Sequence, residues 1–398
     1  MELIKREKYL EKIRPYYGKD LIKVLTGQRR VGKSYLLRLI RLELEAINPT
    51  ANFIFIDLER FEFDKIRNYE DLYLYIKTAQ KPGDNYLFID EIQNIEGFER
   101  AIRSLLSEGN CDIYITGSNS AVFSGEIATF LSGRQVVINI HSLSFTEYLL
   151  FNELDASEQS LMRYLKHGGL PYLMHIENND DLVTDYLRNI YNTILYRDVV
   201  SRNQIRDIPF LENLTRFLAD NTGSLTSATR IADYMKSQRN SKSVSVIINY
   251  LNYLEQAYFI NSVRRQDVQG KRIFDSGEKF YFQDLGLRNL LSGYKPTEIA
   301  KIIENAVFNH LVYLGNKVYV GKMDDKEIDF IAEKNGEFAY YQVAYLLNDT
   351  KVIEREFGNL LKIADHYPKY VISMDNFPIT SSTEGIKHIH LMNFLLEE

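Results

Sequence analysis

The stretch VLTGQRRVGKSYLLRLI, residues 24–40, decides the fold. The run DLIKVLTG over 20–27 is β-branched and apolar, ends in glycine, and reads as a buried strand. GQRRVGKS follows it, and YLLRLIRLELEA then repeats apolar residues at helical spacing. Strand, glycine-rich loop and helix are the context that a phosphate-binding loop requires. Gly27 and Gly32 let the backbone turn tightly, so that successive N–H groups point inward at phosphate oxygens. Lys33 is placed to reach β and γ phosphates and Ser34 to put its hydroxyl on Mg²⁺, while the helix adds its positive N-terminal dipole. The candidate nucleotide-binding set is Gly27, Gln28, Arg29, Arg30, Val31, Gly32, Lys33, Ser34 and Tyr35, and the implied cofactors are ATP and Mg²⁺.

Downstream segments agree with this reading. NYLFIDEIQ, 85–93, is an apolar strand ending in two carboxylates. Asp90 fits the Walker B role of holding Mg²⁺, and Glu91 the base that orients or deprotonates water. An acidic pair at a helix start is the plainer reading, and the preceding loop is what disfavours it. CDIYITGSNS, 111–120, reads as a third strand ending in small polar residues, with Asn119 placed to touch the γ-phosphate or the lytic water, or simply to make a turn. ANFIFIDLER, 51–60, supplies another strand. Alternation of strand and helix implies a parallel three-layer sheet with nucleotide at the strands' carboxyl ends.

Composition sets outer bounds. The 398 residues exceed one core and imply two or three domains. A formal charge of -6 and a pI of about 5.8 argue against a broadly basic nucleic-acid coat, leaving room for a local basic face. The single cysteine, Cys111, allows neither an internal disulfide nor a multi-cysteine metal site. The start MELIKREKYLEK lacks the apolar core of a signal peptide, and no uncharged apolar run approaches a bilayer span, so a soluble cytoplasmic protein without a membrane partner is expected.

TGQRRVGKS, LFIDEIQ, ITGSNS, LSGR, LSFTEY, GGLP and ILYRDVV occur in that order. Over nearly its whole length the chain resembles a bacterial and archaeal family of AAA-type ATPases with a C-terminal domain of unknown function. The resemblance implies a P-loop AAA+ three-layer parallel sheet with a helical lid, then a winged helix-turn-helix, then an α/β restriction-endonuclease-like domain. The boundaries it suggests are 1–155, 156–215, 216–290 and 291–398. It gives Asn119 the role called sensor 1. It also gives Arg134, in FLSGRQVVINI, the option of reaching the γ-phosphate of a neighbouring copy in a homo-oligomer. A surface or internally paired Arg134 needs no neighbour, and both readings stand. Arg188 and Arg197 are available as a second sensor, and spacing does not choose between them.

HGGLP, 167–171, breaks the lid's first helix. SLTSATRIADYMKS reads as a capped helix, SKSVSVIINYLNYLEQAYFINSV (241–263) as a second, and RRQDVQGKRIFDSGEKFYFQD (264–284) as a wing hairpin. One reading puts the second helix in a DNA major groove or on RNA, with Lys236, Arg239, Lys242, Arg264, Arg265, Lys271 and Arg272 on phosphates. The other makes the module a packing or protein-contact element.

TEIAKIIENAVFNHLVYLG is a helix containing Glu304, and NKVYVGKM, KEIDFIAEK and EFAYYQVAYL read as three strands. Their order matches PD-(D/E)xK nucleases, with Glu304, Asp329 and Gln342 at the metal-binding positions. The lysine position is Ala344, which neither donates a hydrogen bond nor carries charge, so a vestigial site without cleavage is expected. Lys351 and Lys362 are the nearest lysines in sequence that a rescue would use. The main reading is therefore an ATPase whose hydrolysis rearranges the later domains. Its rivals are an ATP-dependent nuclease and a non-hydrolysing ATP-switched protein-binding module.

Overall fold

The computed structural model describes residues 3–123, 133–324, 326–347, 349–376, 382–383 and 385–397. They form two compact units, Met1–His141 with Gln256–Tyr258, and Ser142–Glu255 with Phe259–Glu398. Among the described residues no helix is long and apolar enough to cross a membrane.

The first unit is built on β1 (Ile22–Thr26), β2 (Asn52–Asp57), β3 (Asn85–Asp90), β4 (Asp112–Gly117) and β5 (Gln135–Asn139). All pair in parallel, in the order β2-β3-β4-β1-β5. Inner strands of such a sheet are covered on both faces, which is why β1 reads as an unbroken buried run in IKVLT. Helix α1 (Glu7–Ile13) precedes β1, and helices α3 (Tyr69–Ala79) and α4 (Phe98–Glu108) close one face, where Leu72, Ile76, Ile102 and Leu105 meet Val24, Ile56, Ile89 and Ile115. Helix α2 (Lys33–Ile47) packs on β3 and β4 with Leu36, Leu37 and Ile40 buried outside that cluster. Because β1 lies between β4 and β5, and β3 is the next strand over, the loop after β1 opens beside the carboxyl ends of β3 and β4. The expected parallel sheet is the one formed.

The second unit begins with helices. Ser144 and Glu147 form a reciprocal capping box that starts the helix Phe145–Phe151, the LSFTEY motif. The helix Glu158–His167 stops at Gly168, as HGGLP predicts. Asp180–Thr193 runs on into π-helical turns over Ile194–Ser201, the ILYRDVV motif, and Ile208–Asp220 follows. The helices Ala228–Ser237 and Val244–Gln256 fall where a helix-turn-helix is read. The second is shorter than the sequence pattern suggests: Tyr258 takes φ 55° and the chain turns into β6 (Ile260–Asp267).

The hairpin expected as a wing does not stand apart. β6 and β7 (Ile273–Phe282) end an eight-stranded sheet that runs, in spatial order, β12 (Ser382–Thr383), β13 (Ile386–His390), β11 (Lys369–Ser373), β10 (Glu337–Val343), β9 (Lys326–Lys334), β8 (Lys317–Met323), β6 and β7. β6 pairs in parallel with β8 (Lys317–Met323) through Arg265↔Val320 to Asp267↔Lys322. Val263, Phe280, Tyr281 and Phe282 are buried, so this hairpin is core-forming and gains more by joining a sheet than by facing solvent. β9 (Lys326–Lys334) and β10 (Glu337–Val343) are strands as expected, and the structure pairs β8, β9 and β10 antiparallel in turn, with Glu304 on the helix Ile299–Tyr313. The helix Thr350–Leu361 then leads to β11 (Lys369–Ser373), parallel to β10.

Candidate functional site

The loop after β1 takes the conformation its glycines allow. Gly27 has φ 145°, and a Cβ there would lie 2.2 Å from the Ile140 carbonyl oxygen. Gly32 has φ 95° and starts α2 with no side-chain cap, leaving the helix's positive end to the loop. Lys33 is 4% exposed, and its Nζ donates to the Gly27 and Gln28 carbonyls, both at 3.1 Å. It also lies 3.7 Å from Glu91 Oε1. The Ser34 hydroxyl bonds the Asp90 carboxylate, and Thr116 Oγ1 donates to Asp90 Oδ1. Burial pushes the Asp90 carboxyl above its ordinary range against those two hydrogen bonds and the Lys33 charge.

Glu91 takes a left-handed backbone, φ 56°, rare for a non-glycine residue. Its N–H donates to Thr116 Oγ1 at 2.9 Å, and its Oε2 accepts from Ser118 Oγ at 3.1 Å and from Gln93 Nε2. Burial pushes its pKa up, but Lys33, Arg29 and these donors outweigh that and hold the carboxyl below its usual range. Glu91 is therefore an ionised, oriented acceptor at neutral pH.

Lys33, Ser34, Asp90 and Glu91 thus come together. Asn119 is buried at the end of β4, where its Oδ1 accepts from the Ala121 N–H at 2.8 Å, a turn contact. Arg134 is exposed and precedes β5 at the amino end of β1, its carbonyl accepting from the Ile22 N–H at 2.9 Å. The residues before it, 124–132, lie outside those described. Arg30 is exposed, and the Tyr35 hydroxyl turns to the Ile4 carbonyl. The sequence reading missed three contributors. Thr116 and Ser118, within the ITGSNS motif, hydrogen-bond to Asp90 and Glu91. Arg6, fully buried near the chain start, donates to the Val31 carbonyl at 2.9 Å and braces the loop. Small hydroxyl residues ending a strand beside the acidic one were the available signal; nothing in the local sequence marks Arg6.

The donor set suits a magnesium-bound nucleoside triphosphate. Both polar atoms of the buried Gln28 amide lack partners among the described residues, and Lys33 is satisfied only by its own loop's carbonyls and Glu91. Such groups are costly to leave buried without a further partner.

Comparison with known proteins decides the family. A model described as an AAA domain matches residues 19–149, and one for a domain of unknown function (DUF8612) matches 158–298. An uncharacterized protein of Haemophilus influenzae is 35% identical, covering 99% of each chain. The chain belongs to this AAA-domain family. A second relative, the uncharacterized protein MJ1544 of Methanocaldococcus jannaschii, is 33% identical over 84% of this chain and 77% of its own. Looser likenesses to solved structures include the Aeropyrum pernix ORC1 protein in complex with DNA (13% identity, 72% of this chain and 90% of that one, TM-score 0.32). AMPPCP-bound DnaA from Aquifex aeolicus is another (14% identity, 64% and 89%, TM-score 0.35). At such scores these likenesses carry no argument.

In this AAA-domain protein the cations expected on phosphates are partly engaged elsewhere. Lys242 pairs with Asp207 at 2.6 Å and Arg264 with Glu278 at 3.5 Å. Arg265 lies over the Phe274 ring, and Lys271 over Phe338 and Tyr340. Lys236, Arg239 and Arg272 are exposed.

The C-terminal positions also converge, with one addition. The Gln342 amide oxygen accepts from the Asp329 N–H at 2.8 Å, and Asp329 Oδ2 accepts from the Val343 N–H at 2.9 Å. Ala344 is buried in a core with Tyr340, Phe357 and Leu360. Lys351 and Lys362, the nearest lysines in sequence, are both exposed. The lysine that enters is Lys279 of β7, 2.9 Å from Glu304 Oε1, 2.8 Å from Glu327 Oε1 and 3.6 Å from Asp329 Oδ1. Burial alone would lower its pKa, but Glu304, Asp329 and Glu327 outweigh that and hold the ammonium above the usual lysine range. Burial and then the Glu304 charge push the Asp329 carboxyl up to about 7, against Lys279. Among the described residues no group of three or more His, Cys, Asp or Glu is placed to hold a metal ion. The missed signal was a lysine inside an aromatic strand, two residues before Tyr281 and hence on its face.

Proposed function

We propose that the protein binds and hydrolyses ATP with Mg²⁺. The carrying observation is the buried convergence of Lys33 and Ser34 with Asp90 and Glu91 at one end of the parallel sheet. In this reading Lys33 moves from the loop carbonyls to the β and γ phosphates, while Ser34 and Asp90 hold the metal, whose chemistry is to neutralise developing phosphate charge. Glu91 takes the proton of the attacking water, with Ser118 and Gln93 fixing its orientation. A nucleotide switch without turnover needs no such base, and the placement of Glu91 therefore favours hydrolysis over the switch reading.

The same proposal takes hydrolysis to rearrange the residues beyond 155. It treats 156–215 as a lid, the helices Ala228–Ser237 and Val244–Gln256 as a segment able to contact DNA, RNA or a protein, and 291–398, joined by the β6–β7 hairpin, as a nuclease-like domain that does not cut. Asn119 acts as sensor, Arg134 acts on a neighbouring copy, and the protein works in the cytoplasm. The test is single-turnover and steady-state ATPase kinetics on point variants. Lys33→Ala is expected to lose ATP binding. Glu91→Gln is expected to keep binding and slow turnover by on the order of 10²-fold or more. Normal turnover in Glu91→Gln would sink the assignment.

A further inference from the structure

We infer that Lys279 is a built-in cation: its ammonium stands where the carboxylates of a PD-(D/E)xK-like site would converge on a divalent metal, and closes that site to metal. Three carboxylates from two elements, the helix Ile299–Tyr313 and β9, meet on one nitrogen: Glu304 at 2.9 Å, Glu327 at 2.8 Å and Asp329 at 3.6 Å. The Lys279 side chain is 3% exposed, so water takes little part.

The surrounding contacts hold the oxygens on this nitrogen. The Tyr281 hydroxyl donates to Glu304 Oε1 at 2.6 Å, the same oxygen that Lys279 binds. Gly223 backs the other Glu304 oxygen, where an added Cβ would lie 2.9 Å from Oε2. Asp329 Oδ2 is taken by the Val343 N–H, leaving Oδ1 for the ammonium. The Gln342 amide oxygen accepts from the Asp329 N–H, and its amide nitrogen donates to Glu356 Oε2 at 2.7 Å. A hard divalent ion needs about six oxygens at roughly 2.1 Å, and the first of them here would be those that Lys279 holds. An ammonium offers three donors and no Lewis acidity, so it satisfies the carboxylates without polarising a phosphate.

The inference rests on the nuclease-like reading of this domain and is independent of the ATPase. Its alternative is that Lys279 restores the catalytic lysine absent at position 344. Against that, a lysine serving a scissile phosphate must present its charge to substrate, and this one spends it on three carboxylates.

The experiment uses nucleotide-free, full-length protein titrated with Mn²⁺, read by calorimetry and by thermal midpoint. Lys279→Met vacates the nitrogen while keeping an unbranched side chain. It is expected to gain one Mn²⁺ per chain over wild type, to lose it again when Asp329→Asn is added, and to rise in midpoint by about 2 °C or more with Mn²⁺. A variant that folds only with Mn²⁺ supports the same conclusion. The wild-type arm does not need Lys279→Met to fold; it needs only a folded Asp329→Asn control, which its thermal midpoint shows. Mn²⁺ binding, or cleavage of DNA or RNA, that wild type shows and Asp329→Asn loses would overturn the inference. So would a folded Lys279→Met that binds no more Mn²⁺ than wild type. Failure of the ATPase reading would show in Lys33→Ala and Glu91→Gln and leave these titrations unchanged.

Discussion

Asp284 explains the paired glycines of HGGLP better than helix breaking does. Its Oδ1 accepts from the Gly286 and Leu287 N–H groups at 3.0 and 3.3 Å and caps the helix Leu285–Ser292, while Oδ2 accepts from the Gly169 N–H at 2.9 Å. At Gly168, φ 78°, an added Cβ would lie 2.4 Å from Asp284 Oδ1. Asp284→Ala is expected to cost about 2 to 4 kcal/mol by leaving buried donors unmet, measured by denaturant unfolding. Gly168→Ala should also destabilise, through backbone strain and that contact; an unchanged midpoint in both would refute the account. Burial raises the Asp284 pKa, partly offset by its hydrogen bonds. A raised folded pKa means stability present below the ordinary carboxylate range and lost as pH rises through the folded value. The pH–stability slope should therefore flatten in Asp284→Asn, and an identical slope would show that this carboxyl does not titrate differently on folding.

At the scale of elements, the hairpin β6–β7 was legible as a hairpin but not as part of the C-terminal sheet. Its alternation of charge, glycine and aromatics suits an exposed wing and a sheet margin equally. What decides is the parallel pairing of β6 with β8, between residues more than fifty positions apart. Gln266 is in register with both Ile273 and Gly321. Gln266→Pro, an interior sheet position, should cost about 3 kcal/mol or more and reduce hydrogen-exchange protection in β8 as well as β6. Loss confined to the hairpin would restore the free-standing wing. The phosphate loop is the contrasting element: strand, loop and helix are contiguous, so 24–40 predicts its own conformation.

For the whole molecule, an acidic chain of net charge -6 restricts nucleic-acid contact to a local basic face. Several candidate cations are paired within the fold, and the exposed Lys236 and Arg239 are the better targets. Reversing both should weaken DNA or RNA binding across sequences and reduce its salt dependence. No detectable binding by wild type at low salt would leave a protein-contact module. Arg134 is exposed, and exposure fits action on a neighbour and a plain surface arginine alike; the first reading is the one proposed. ATPase activity per chain should then rise with protein concentration, and Arg134→Ala should bind ATP without turning it over. A concentration-independent rate from a monomer would return Arg134 to the surface.

The sequence by itself determined the parallel sheet, the glycine-turned loop after β1 and the acidic pair Asp90–Glu91 at the end of β3. Each depends on residues adjacent in the chain: a strand, the turn its glycines permit, and the carboxylates that end it. Only the tertiary structure decided what surrounds them. Thr116 and Ser118 reach Glu91 because β4 lies beside β3, and Arg6 braces the loop from 25 residues before Val31, ahead of β1. At the C-terminus the sequence showed a missing lysine, and the fold placed one among the same carboxylates. Lys279 stands 50 residues before Asp329 and on another strand, and charge attraction in a buried space, rather than motif spacing, is what holds it there.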